Sequence, residues 1–126
     1  MSEIPEEFSY TKNHLWVDFV DGVSTIGLTD YYQNELGDIL LVEINNQDPE
    51  INFGDFFCII ESNQETFEIH SPLSGKLVDV NKDIIVEPHH INTSPYEAGW
   101  LFKLQIDDKS ELDNLLTDDE YYALTE

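Results

Sequence analysis

One stretch, Phe56 to Gly75, restricts the fold of this chain more than any other. Phe56-Phe57-Cys58-Ile59-Ile60 is an unbroken apolar run of strand-forming residues. Glu65-Thr66-Phe67-Glu68-Ile69-His70 alternates, as a half-buried strand does. Asn63-Gln64 lies between the two and reads as the tip of a β-hairpin. Ser71-Pro72-Leu73-Ser74-Gly75 then breaks the chain, because Pro72 cannot donate to a ladder and glycine weakens a strand interior.

The flanking segments repeat the theme. Tyr10–Val17 reads as an opening strand with aromatic anchors, Asp21-Gly22 as a turn and Val23–Leu28 as the returning strand. Thr29 or Asp30 can cap a short helix through Leu36, with Gly37 as its stop. Ile39–Ile44 is strongly β-forming, Asn45–Glu50 is a polar loop, and Phe53-Gly54-Asp55 is a turn. Leu77–Val80 and Trp100–Ile106 read as further strands, separated by a longer mixed connection from Asn81 to Ile91. In the tail, Ser110 can cap a helix over Glu111–Leu116, and Thr117 with Glu120 makes a capping box. Gly37–Val42 and Gly75–Val80 share a glycine-led strand pattern, which would fit a flattened barrel of two sheets. The expectation is a single domain, 1–126, with a flexible N-terminus over 1–8 and a helical C-terminal segment over 107–126.

Charge narrows the function classes. The chain has 27 acidic residues against five lysines, and no arginine. Nucleic acid and anionic membranes are poor partners for such a surface, and no arginine fork is available to clamp a phosphate. A basic protein partner would be steered in, and self-repulsion favours a monomer. Cys58 is the sole cysteine, so no internal disulfide can form, and its apolar surroundings read as an inert buried thiol. No apolar run is long enough to span a bilayer, and the acidic N-terminus is unlike a secretory signal. A bacterial cytoplasm or an organelle matrix fits this composition.

No arrangement of residues meets the needs of an active site. Ser62 lacks a G-x-S-x-G context, His70 with Glu68 lacks a nucleophile, and there is no phosphate-cradling glycine loop. His14 and His70 read as single, structurally bonded histidines. His89-His90 is the only histidine pair, and neighbours in a strand point to opposite faces. Glu87, His89 and His90 could converge only in a loop, so no metal site is expected.

Tyr10-Thr11-Lys12 with His14 and Trp16-Val17, Gly27–Tyr31 with Gln33 and Leu36–Ile39, and Glu61-Ser62 form an ordered series of motifs. Ser71–Gly75, Val80-Asn81, Asn92, Ser94-Pro95-Tyr96 and Gly99-Trp100-Leu101 continue it. Through this series nearly the whole chain resembles the H-protein family of the glycine cleavage system. The resemblance implies a mostly β, lipoyl/biotinyl-type barrel-sandwich hybrid with peripheral helices. It also implies a carrier rather than an enzyme, shuttling an aminomethyl group on a lipoyl arm. The partners implied are glycine decarboxylase, a folate-dependent aminomethyltransferase and dihydrolipoamide dehydrogenase, with a lipoate ligase to attach the arm.

The family pattern puts the arm-bearing lysine where this chain has Gln64. A lysine amine can form an amide with lipoate, whereas glutamine's nitrogen is already an amide and only hydrogen-bonds. Covalent lipoate is therefore not expected. Asn63, Glu65, Phe67 and His70 also depart from the pattern, which favours natural drift over one isolated change. Lys76 and Lys82 lack the tip setting, and the methionine-flanked lysine of biotin acceptors is absent. Gln64 thus marks the cofactor position, with Glu61, Ser62, Asn63, Glu65 and His14 as candidate partner-binding residues. Two readings follow: an H-like binding, scaffold or regulatory module, or an authentic carrier whose lysine was replaced by glutamine.

Overall fold

The alternating runs Leu15–Val20 (β2) and Val23–Leu28 (β3) form an antiparallel hairpin. Asp21 and Gly22 turn it at positive φ, 51° and 84°, as the twist of a two-residue hairpin demands. The computed structural model describes residues 3–125. Around this hairpin gather β1 (Ser9–Tyr10), β9 (Phe102–Ile106), β8 (Gly75–Val80) and β5 (Glu50–Ile51), in the order β1-β2-β3-β9-β8-β5. A second sheet has the order β4-β6-β7, from Ile39–Ile44, Phe56–Ser62 and Thr66–His70. Every pairing is antiparallel. Peripheral helices α1 (Asp30–Leu36), α2 (Asp83–Val86), α3 (His90–Thr93) and α4 (Asp118–Thr125) complete a mostly β, barrel-sandwich architecture. Among the described residues no helix is long and apolar enough to cross a membrane.

The core lies between the sheets. Phe57, Cys58, Ile60 and Ile69 of the smaller sheet pack with Ile26, Leu28, Phe102 and Leu104 of the larger. Strict alternation would bury only one of Phe57 and Cys58. A register shift between Phe56 and Cys58 against β7 lets both turn inward. Burial pushes the Cys58 thiol up to about 12, so it stays protonated and unreactive.

Gly75 shows why the Ser71–Gly75 break ends as it does. A methyl there would press into the Gln105 carbonyl oxygen on the neighbouring strand β9. Glycine-to-alanine changes usually stabilise by trimming unfolded-state freedom. Here overpacking wins, and Gly75→Ala should cost about 1–3 kcal/mol, read as a lower urea midpoint with an unchanged slope.

Several local expectations meet long-range facts. Glu3 makes two long-range bonds: its N–H donates to Asp30 Oδ2 at 2.9 Å and its carbonyl accepts the Tyr96 hydroxyl. Phe8 stacks on Trp16 at 4.9 Å, joining a satellite cluster of Tyr10, Trp16 and Tyr121. Met1 and Ser2 lie outside the described residues. The glycine-led echo separates: β4 belongs to the smaller sheet and β8 to the larger. In the tail, Asp108 rather than Ser110 is the cap, and Lys109–Asn114 is a 3-10 helix. Thr117 and Glu120 do exchange the paired bonds of a capping box, at 2.9 and 3.2 Å.

Candidate functional site

Strands β6 and β7 converge on Asn63-Gln64-Glu65, which caps the smaller sheet. Ser62 organises the turn. Its N–H donates to the Glu65 carbonyl at 2.9 Å. Its hydroxyl donates to the same carbonyl at 3.0 Å and accepts the N–H groups of Gln64 and Glu65 at 3.2 and 3.0 Å. Asn63 N–H donates to the Asp38 carbonyl at 3.0 Å, tying the tip to the start of β4. Four successive backbone donors are thereby satisfied at an exposed turn.

Beneath the tip lies Gly37, the stop of α1, at φ 84°. A methyl group on it would sit 2.5 Å from Asn63 Oδ1 and 2.8 Å from Gln64 Nε2. Both amide side chains therefore fold over the glycine. Among the described residues, Gln64's side chain has no hydrogen-bond partner. Asn92 of α3 braces the platform: its Nδ2 donates to the Gly37 carbonyl at 3.0 Å and to Gln33 Oε1 at 2.8 Å, while its Oδ1 accepts Ile39 N–H at 2.9 Å. Sequence reasoning found Asn92 only as part of a motif; its bracing role depends on three partners remote in sequence.

Glu61, opposite Leu41 and Thr66, is exposed beside the tip, as are Asn63, Gln64 and Glu65, with Ser62 half-buried. His14 stands apart from them. It sits at φ 70° in the turn before β2, and its Nδ1 lies 2.8 Å from the Tyr121 hydroxyl. Its ring stacks on Tyr32 at 4.5 Å, and Tyr32 meets Phe67 of β7 at 4.7 Å. An aromatic chain thus runs from the C-terminal helix to the hairpin. Burial lowers the His14 pKa, opposed by the Glu35 charge, and burial raises that of Tyr32, helped by Glu65 and Glu35. Tyr32 and Tyr121 carried no signal in the sequence, since only the fold brings them together.

Along β7 runs a groove of about 310 Å³, lined by Asn13, Leu15, Phe67, Glu68, Ile69 and His70. A second cavity of about 480 Å³ adjoins it through Asn13, Leu15 and His70 and reaches Phe53 and Glu111. His70 touches Glu68 at 3.2 Å and the Gly54 carbonyl at 3.1 Å, so its bonding is structural.

The Glycine cleavage H-protein family profile matches residues 8–126. The chain is 47% identical over 118 residues to a glycine cleavage system H protein from Staphylococcus epidermidis, covering 94% of each. It is 43% identical over 123 residues to one from Alcanivorax borkumensis, covering 98% of this chain and 96% of that protein. The crystal structure of a glycine cleavage system H protein from Mycobacterium marinum superposes with a TM-score of 0.82 at 31% identity, over 95% of this chain and 97% of that one. A barrel-sandwich fold, an ordered hairpin tip and near-complete matches to proteins of one name converge: the chain belongs to the glycine cleavage H-protein family.

Proposed function

We propose that the chain is a glycine cleavage H-like protein that carries no lipoate at Gln64. It works as a non-catalytic binding, scaffold or regulatory module for glycine cleavage or lipoate-handling enzymes. One observation carries this: a carboxamide stands at the exposed hairpin tip, in a turn whose hydrogen bonds come from Ser62, Asp38 and the main chain. The lone pair on the Gln64 nitrogen is delocalised into its carbonyl and is not nucleophilic enough for acylation, so the residue present does not fit a lipoyl group. The retained scaffold, with the exposed acids Glu61 and Glu65 at the tip, supports docking without carriage. Its candidate partners are glycine decarboxylase, aminomethyltransferase, dihydrolipoamide dehydrogenase and a lipoate ligase. We place it as a monomer in a bacterial cytoplasm, with an organelle matrix as the alternative.

The test is intact-mass analysis of the chain after co-expression with a lipoate ligase. No lipoyl increment is expected, and a modified species would sink the proposal. Pull-downs against the four candidate enzymes should then retain at least one of them. The second reading, an authentic aminomethyl carrier whose lysine was replaced, draws on the 47% identity to a protein of that name. Sequencing the chromosomal gene separates the two: a lysine codon at position 64 selects the second.

A further inference from the structure

The turn between α2 and α3 brings together three side chains that the H-like function does not use. Glu87, His89 and His90 present a carboxylate oxygen and two imidazole nitrogens, all within 4.8 Å of one another. In a strand the histidine pair would diverge, and only a loop would let it converge with Glu87. It lies where Glu87 ends α2 and His89 caps α3, and there the donors converge. We infer that Glu87, His89 and His90 form a binding site for a divalent transition-metal ion of zinc type.

The donor set suits that class. Two imidazoles with one carboxylate favour zinc-like ions over magnesium or calcium, which prefer oxygen alone. His90 Nε2 already lies 2.9 Å from Glu87 Oε2. Tetrahedral zinc needs donors about 3.3 Å apart, a gap that the exposed side chains of Glu87 and His89 are placed to close against half-buried His90. The backbone of the turn is ordered in advance. Pro88 fixes one φ, and His90, Ile91 and Asn92 N–H groups donate to the carbonyls of Glu87, Pro88 and His89 at 3.2, 3.1 and 2.9 Å. Buried Ile84 and Ile91 anchor the turn on both sides. Binding therefore orders three side chains rather than a loop. Glu87 and His89 are exposed, so an ion enters freely and keeps an open coordination position for water. The surrounding charge helps: the chain carries a net −22, and no lysine pairs with a carboxylate among the described residues.

The experiment titrates the full chain with zinc chloride by calorimetry in excess magnesium, which occupies the diffuse acidic surface. One stoichiometric zinc site is expected. In His89→Ala/His90→Ala its affinity should fall by more than the about 10–100-fold that follows loss of a ligand's hydrogen-bond partner. Glu87→Gln should weaken it less. In parallel, zinc should shift the ring NMR signals of His89 and His90 and leave those of His14 and His70 in place. That readout uses the unaltered protein and does not depend on the variants folding. Absence of a stoichiometric site, equal binding by the double variant, or unmoved His89 and His90 signals would each overturn the inference.

Discussion

Gln64→Lys is expected to take up a single lipoyl group per molecule, where the unaltered chain is expected to take up none. The hairpin tip already provides the setting. Ser62 and Asp38 hold its backbone, Glu61-Ser62 precedes it, and Asn63, Gln64 and Glu65 are exposed. Glutamine at this position uses only its N–H in the turn, so lysine should enter without altering the fold. Its longer stem reaches beyond Gly37 into solvent, where the amine is free to be acylated. Intact mass and peptide mapping after co-expression with a lipoate ligase give the readout, with the unmodified wild type as reference. Lys76 and Lys82 should stay unmodified in both chains. If a ligase that loads a family relative leaves Gln64→Lys untouched, position 64 is not the only obstacle. Asn63 and Glu65 would then be the next residues to revert.

The second large effect concerns stability. Phe57→Ala should cost about 3–5 kcal/mol. Phe57 is fully buried, and its ring stacks at 4.0 Å on Phe102, so one aromatic pair joins the smaller sheet to the larger. Removing the ring opens a cavity where the sheets meet. A domain of this size has about 5–15 kcal/mol in all, so a large share of its stability goes. Urea unfolding should show a much lower midpoint. Phe53→Ala, at a residue 70% exposed, should stay within about 0.5 kcal/mol of wild type and serves as the control.

What was legible in the sequence was what is decided within a few residues. The β6–β7 hairpin, the Asp21-Gly22 turn, a cap at Thr29 or Asp30 (Thr29 in the fold), the Gly37 stop and the Thr117–Glu120 box all follow from neighbours along the chain. The features that escaped it are decided at a distance. Strand β5 is two residues long and exists because β8 pairs with it. The Phe56/Cys58 register shift belongs to a pair of strands, not to either one. Glu3 bonds to Asp30 and Tyr96, far along the chain. At the tip, Gln64 and its neighbours stood out from the motif alone. Gly37, Asn92 and the Tyr32–His14–Tyr121 contacts beneath and beside it became visible only once the sheets were stacked.

The wiring of the hairpin tip has an evolutionary meaning. Ser62, Asp38 and the main chain close the turn, and the side chain at position 64 takes no part. Selection for closing this turn therefore has no hold on what stands there, whereas selection for cargo does. A lineage that stops needing the cargo can lose the acceptor in a single step and still inherit an intact docking body, ready to be recruited to another task.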